Sequence, residues 1–139
     1  MKEIFGYSYL VDFYGCIPGS GSDINAIYLF LESLPTKIGM QSFSPPLIIK
    51  EPATFVPDRC DSNDLIRVPD YPDKAGVSAV IFLITSSIVL HTIEDRQFCT
   101  LDVFSCKWFD PKIVKKECYK LFGFTSCDEQ FLERGKDYK

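Results

Sequence analysis

The chain has 139 residues, a formal charge of −4 and an ordinary apolar fraction of 46%; a protein of this size forms one domain and removes roughly two-thirds of its unfolded surface from water. The acidic balance argues against a nucleic-acid partner, which shows a clustered basic footprint, and it suits a cationic ligand. The longest apolar run, Val77 to Leu90, is interrupted by Thr85, Ser86 and Ser87 and falls short of the ~18 uninterrupted apolar residues of a membrane span.

The opening MKEIFGYSYLVDFYG has no continuous apolar core followed by a small-residue cleavage site, so a cytoplasmic protein is expected. Ile4 to Tyr14 alternates well enough to form a first strand, and the Cys16-Ile17-Pro18-Gly19-Ser20-Gly21 stretch breaks it. Ser22 or Asp23 then caps a helix carrying Ile24, Ile27, Leu31 and Leu34 at helical spacing, with Pro35 as its expected end. Gln41 to Lys50 reads as a second strand, confined by Pro45 and Pro46 to an edge or a bulge. Glu51 to Lys74, with Pro52, Pro57, Pro69 and Pro72, reads as a long loop, a candidate cover for a site or an interface arm.

Val77 to Ile84, Ser87 to Thr92 and Phe98 to Cys106 read as three consecutive strands, the first apolar enough for a sheet covered on at least one face. In the third, the two-residue period puts Phe98, Thr100, Asp102, Phe104 and Cys106 on one side and Cys99, Leu101, Val103 and Ser105 on the other. Asp110 and Pro111 open a second helix that runs through Leu121 and stops at Gly123, and a short strand from Ser126 to Leu132 follows. This order predicts an α+β two-layer sandwich, mainly antiparallel, with two helices on one face of the sheet.

The stretch from Gly76 to Cys106 carries the chemistry: Ser78, Ser86, the chain's one histidine His91, and Cys106 fall on neighbouring predicted strands. Hydroxyls, an imidazole and a thiol are what a nucleophilic or self-processing site needs. Taken singly, each also has a plain structural reading: His91 a hydrogen-bonded strand residue, Cys106 a small buried hydrophobe, Glu94-Asp95-Arg96 a solvated turn. The six cysteines contain no CxxC and no accompanying histidine cluster, so no metal is expected and they read as free thiols.

In register, these residues resemble the prokaryotic S-adenosylmethionine decarboxylase proenzymes, whose core reads GVSxxxxxxESHxxxHTxPExxxxxxDxFxC. Gly76-Val77-Ser78, Ser86, His91-Thr92 and Asp102-Val103-Phe104-Ser105-Cys106 match it without a gap, and Phe13-Tyr14-Gly15-Cys16 extends the likeness towards the N-terminus. The departures are Thr85 for the glutamate before the processing serine, Ser87 for the following histidine, Ile93 for an aromatic, Glu94 for the proline and Asp95 for a ribose-binding glutamate.

The resemblance implies that Ser86 attacks the carbonyl of Thr85 and becomes a pyruvoyl group, with His91 as proton shuttle and Ser78 as its oxyanion helper. The pyruvoyl carbonyl would take up the substrate amine and serve as electron sink for loss of carbon dioxide, and Cys106 would return a proton to carbon. Asp95 or Glu94 would hold ribose hydroxyls, and Phe5 or Tyr7 would face the cationic adenosyl group. The expected function is decarboxylation of S-adenosylmethionine for spermidine synthesis by a homodimer. The alternatives are an unprocessed relative that binds a nucleoside or amino-acid ligand or regulates a true decarboxylase, and a pyruvoyl decarboxylase of arginine or ornithine.

Overall fold

Strand alternation and helix spacing resolve into one sheet with a covered and an open side. The computed structural model describes residues 3–51 and 76–139, so the predicted loop from Glu51 to Lys74 lies, past its first residue, outside the described residues. The elements are β1 (Gly6–Tyr14), α1 (Ile24–Lys37), β2 (Leu47–Glu51), β3 (Gly76–Leu83), β4 (Ser86–Ile93), β5 (Phe98–Ser105), α2 (Pro111–Phe122) and β6 (Ser126–Arg134). All pairings are antiparallel, in the order β2-β3-β4-β5-β1-β6.

The period of two assigns the faces. Val77, Ala79, Ile81 and Leu83 of β3, Ile88 and Leu90 of β4, Cys99, Leu101 and Val103 of β5, and Tyr9, Val11 and Phe13 of β1 are buried. The helices meet this side through Ile27, Phe30, Leu31 and Leu34 of α1 and Val114, Cys118 and Phe122 of α2. Full burial of each Leu, Ile or Val contributes about 1.5–3 kcal/mol, which fixes the layer. The intervening residues, Ser78, Val80, Phe82, Ser87, Val89, His91, Thr100, Asp102 and Phe104, share the open side.

Several boundaries differ from the sequence reading. Pro35 sits inside α1 rather than ending it. A proline there forgoes the bond its nitrogen would have donated to the Leu31 carbonyl and crowds that carbonyl, yet the helix continues through Thr36 and Lys37 and closes when Ile38 N–H bonds the Leu34 and Pro35 carbonyls ahead of Gly39 at φ 74°. The second predicted strand shrinks to Leu47–Glu51, because Pro45-Pro46 leave only an isolated bridge from Ser42 to Leu83 on their N-terminal side. β4 begins one residue early, at Ser86, and β6 extends to Arg134. Asp23, rather than Ser22, caps α1 by accepting from Ala26 N–H at 3.1 Å.

Gly76 explains the first letter of the GVS word: a Cβ there would run into the backbone carbonyl of Thr92 on the neighbouring strand. Gly76→Ala is expected to cost at least about 2 kcal/mol, at the upper end for overpacking, because the obstructing atom is backbone. Urea denaturation monitored by circular dichroism measures it.

Candidate functional site

β3 and β4 are joined by a turn of two residues, Ile84 and Thr85, between the paired Leu83 and Ser86. Thr85 has φ 56°, and among the described residues only Gln97 is another non-glycine with positive φ. The second central position of such a turn favours Gly or Asn. A β-branched threonine there is a true outlier, of the kind that costs about 1–3 kcal/mol and clusters at reactive sites. The strained residue supplies the carbonyl half of the Thr85–Ser86 peptide.

Cys106, one residue beyond β5, lies against this turn. Its N–H donates to Ser86 Oγ at 3.0 Å, and its thiol reaches the Ile84 carbonyl at 3.9 Å. Ser86 and Cys106 are half-buried, so the hydroxyl and the thiol sit at one rim of the sheet with solvent access. Cys16, Cys99 and Cys118, by contrast, are buried, and burial pushes the Cys118 thiol well above its usual range.

The second cluster is the pair Ser78 and His91. They face each other across the β3–β4 ladder, and Ser78 Oγ and His91 Nδ1 share a hydrogen bond of 2.8 Å. Thr92, next in chain, turns the other way: its buried hydroxyl accepts from Val77 N–H at 2.9 Å and donates to the Gly21 carbonyl at 2.5 Å. The HT word therefore joins an imidazole on the open side to a structural tie that anchors β4 to β3 and to the loop before α1.

Within one chain the four predicted residues form two pairs and not one site. Five residues along β4 separate Ser86 from His91, which at ~3.3 Å per residue is about 16 Å. Ser86 also shares strand parity with buried Ile88 and Leu90, whereas Ser78 and His91 look out from the open side.

The remaining expected residues divide similarly. Glu94 opens a short 3-10 turn, Glu94–Arg96, and its carboxylate accepts from Gly19 N–H, so it ties the turn to the loop before α1. Asp95 in the same turn is exposed, on the His91 end of the sheet. Phe5 stacks on Phe104, centroids 5.9 Å apart, at the Cys106 end, with Tyr138 against it at 5.1 Å. Tyr7 stacks on Phe131 at 5.6 Å and packs against the core, on the side away from His91.

One residue escaped the assignment of roles. Asp102, inside the DxFxC word, lies on the open side, where partial loss of solvent around the carboxyl raises it above the ordinary range while His91 draws it down and Asp12 adds to the rise. The two-residue period already put Asp102 on that face; its closeness to His91 needed the register of two separate strands. Leu10, Asp12, Asp102, Asp128, Glu129 and Gln130 line a shallow groove of about 690 Å³. Among the described residues no group of three His, Cys, Asp or Glu side chains could hold a metal ion, and no helix is long and apolar enough to cross a membrane.

The sequence model of the S-adenosylmethionine decarboxylase family matches residues 60–135. Over 84 residues the chain is 29% identical to the S-adenosylmethionine decarboxylase proenzyme of Geobacillus kaustophilus (strain HTA426), spanning 59% of this chain and 68% of that protein. Its fold matches the crystal structure of the adenosylmethionine decarboxylase from Aquifex aeolicus VF5 with a TM-score of 0.69 at 20% identity, over 96% of this chain and 92% of that one.

The turn geometry makes its own prediction. In a Ser86→Ala background, where the peptide cannot react through the hydroxyl, Thr85→Gly should stabilise the fold by roughly 1 kcal/mol, because glycine adopts positive φ without the Cβ clash. A raised denaturation midpoint with unchanged cooperativity is the expected result.

Proposed function

This chain belongs to the S-adenosylmethionine decarboxylase family, and from that premise we propose that it is a self-processing decarboxylase of S-adenosylmethionine, acting in polyamine synthesis. The observation that carries the proposal is the strained Thr85 next to a Ser86 hydroxyl held by Cys106 N–H at 3.0 Å. A donor on Ser86 Oγ orients the oxygen and stabilises the negative charge that builds on it as its proton leaves.

Attack of Ser86 Oγ on the Thr85 carbonyl carbon breaks the C–N bond and leaves an ester with a liberated amine. Elimination of the Thr85 carboxylate and loss of the nitrogen as ammonia to water then give a chain beginning with a pyruvoyl group. Release of the left-handed Thr85 conformation favours the forward direction. Ser86 at an accessible rim, with a thiol at the same turn, fits such a group. Once formed, it supplies an electron sink for decarboxylation.

Cys106, whose thiol lies against the Ile84 carbonyl at the same turn as Ser86, is the proposed proton donor to the product carbon. His91 and Ser78, which share a hydrogen bond of 2.8 Å, form the proposed proton shuttle for processing. Phe5 at the Cys106 end and Asp95 at the His91 end are the proposed contacts for the adenosyl ring and the ribose.

The 16 Å gap between the pairs is bridged by a second copy. Leu47, Ile49 and Phe82 on the open side of β2 and β3 are more than half exposed, an apolar face suited to a homodimer burying on the order of 1,600 Å². In the proposed dimer the Ser78–His91 pair of one protomer serves the Ser86–Cys106 rim of its partner. The dimer is proposed to act in the cytoplasm.

Thr85 in place of the family's acidic residue favours a second reading: an unprocessed relative that binds an adenosyl or amino-acid ligand, or pairs with an active decarboxylase. Ile93 and Glu94 in place of the family residues support a changed substrate such as arginine or ornithine.

Intact-mass spectrometry decides processing. Fragments 1–85 and 86–139, the latter pyruvoyl-started, are expected, and Ser86→Ala should abolish them; full-length mass alone after prolonged incubation selects the unprocessed reading. Cys106→Ala should still cleave yet lose about a hundredfold or more in carbon dioxide release, as for a removed general acid, with arginine and ornithine assayed beside S-adenosylmethionine. Co-expression tests the shared site: His91→Ala should cleave slowly alone and recover when paired with Ser86→Ala, whose intact His91 serves the partner. No recovery in a demonstrated mixed dimer would make the shuttle act within one chain.

A further inference from the structure

We propose that Cys16 and Cys99 are a redox pair that hydrogen peroxide converts into a disulfide, reversible by a dithiol, and that this bond staples together the two pieces into which cleavage at Thr85–Ser86 divides the chain. The two sulfurs lie 3.9 Å apart in the interior, in residues only 4% and 1% exposed. Different segments bring them there. Cys99 of β5 is paired with Phe13 of β1. Cys16 follows the turn at Gly15, whose φ is 67°, and its N–H donates to the Gln97 carbonyl at 2.9 Å. The backbone thus holds Cys16 alongside the start of β5, and side-chain rotation is the motion left to bring the sulfurs to the ~2.05 Å of a bond.

The neighbouring thiols are placed otherwise: Cys106 reaches the Ile84 carbonyl, Cys127 the Glu129 carboxylate, and Cys118 is buried on α2. The Cys99 thiol, hydrogen-bonded to Cys16, holds the Cys16 thiol below its ordinary range against the opposing effects of burial and Glu94. Cys16 therefore reacts first, since the thiolate is the nucleophile. Ile17, Pro18 and Gly19 beside it are exposed, and local opening of this loop admits a molecule as small as peroxide.

The Cys16 sulfur attacks one peroxide oxygen and breaks the O–O bond; the released hydroxide leaves with the thiol proton as water, and Cys16 becomes a sulfenic acid. The Cys99 sulfur then attacks the Cys16 sulfur and expels its oxygen as a second water. Two thiols have lost two hydrogens and two electrons, and peroxide has been reduced to two waters. The residues are 83 apart in the chain, so the bond closes a long loop of the unfolded state and stabilises the fold. Cys16 precedes Thr85–Ser86 and Cys99 follows it, so in cleaved protein the same bond joins the fragments. The pairing rests on the sulfur contact alone; the stapling role rests on the processing proposed above.

Alkylation in denaturant after brief peroxide treatment tests the pair in cleaved and uncleaved protein alike. Of the six cysteines, two should escape alkylation, peptide mapping should find Cys16 linked to Cys99, and dithiothreitol should free both. Cys16→Ser and Cys99→Ser should each abolish the link, whereas Cys118→Ser should retain it. Oxidation should raise the urea midpoint of Ser86→Ala protein, and reduction should return it. In cleaved protein the fragments should run as one band without reductant. Cys16 and Cys99 both alkylated after treatment, or a link made through Cys118 instead, overturns the pair. A Cys16–Cys99 link in parent protein that never cleaves upholds the redox pair and overturns the stapling role, so the two ideas fail separately.

Discussion

The two-residue turn at Ile84–Thr85 is the constraint on which the rest of the site depends. It pairs Leu83 with Ser86 and so sets the whole β3–β4 register, including Ser78 opposite His91. A slip of one residue would reverse every side chain of β4, sending Ile88 and Leu90 to solvent and His91 into the core. The burial of Ile88, Leu90 and Leu101 resists that slip, and it is this apolar layer that holds Thr85 in a backbone conformation threonine avoids. Local strain persists because the packing around it over-determines the fold.

The same register separates what the motif words hold together. GVS combines a glycine needed for close strand approach, an apolar core residue and a reactive hydroxyl; HT combines an imidazole on the open side with a hydroxyl that ties three segments on the covered side. Adjacent letters serve different ends because adjacent strand residues face opposite ways. DxFxC works differently: Asp102 and Phe104 share the open face, and Cys106 lies past the strand end, where its backbone N–H can reach Ser86.

A sheet with helices on one side leaves the other side to be accounted for. Here that side runs from an apolar edge at Leu47, Ile49 and Phe82, through the Ser78–His91 pair, to a groove with Asp12, Asp102 and Asp128. Its division is between apolar area, which is costly to leave in water, and a groove whose carboxylates carry a negative field.

The amino-acid sequence by itself determined the order of strands and helices and the side each β5 residue faces, because periodicity, caps and spacing are local properties written in consecutive residues. It also determined the family likeness that the matched region bears out. Pro35 misled because α1 runs on through Thr36 and Lys37 before Ile38 N–H closes it on the Leu34 and Pro35 carbonyls, which the local sequence does not show. Only the tertiary structure decided that the reactive positions form two pairs about 16 Å apart along β4, that Glu94 is tied to Gly19, that Tyr7 packs on Phe131 and that Asp102 neighbours His91. Each of these depends on which residues of distant segments meet. That is fixed by the register of packed strands and by burial on one side of the sheet, and no run of neighbouring residues contains it.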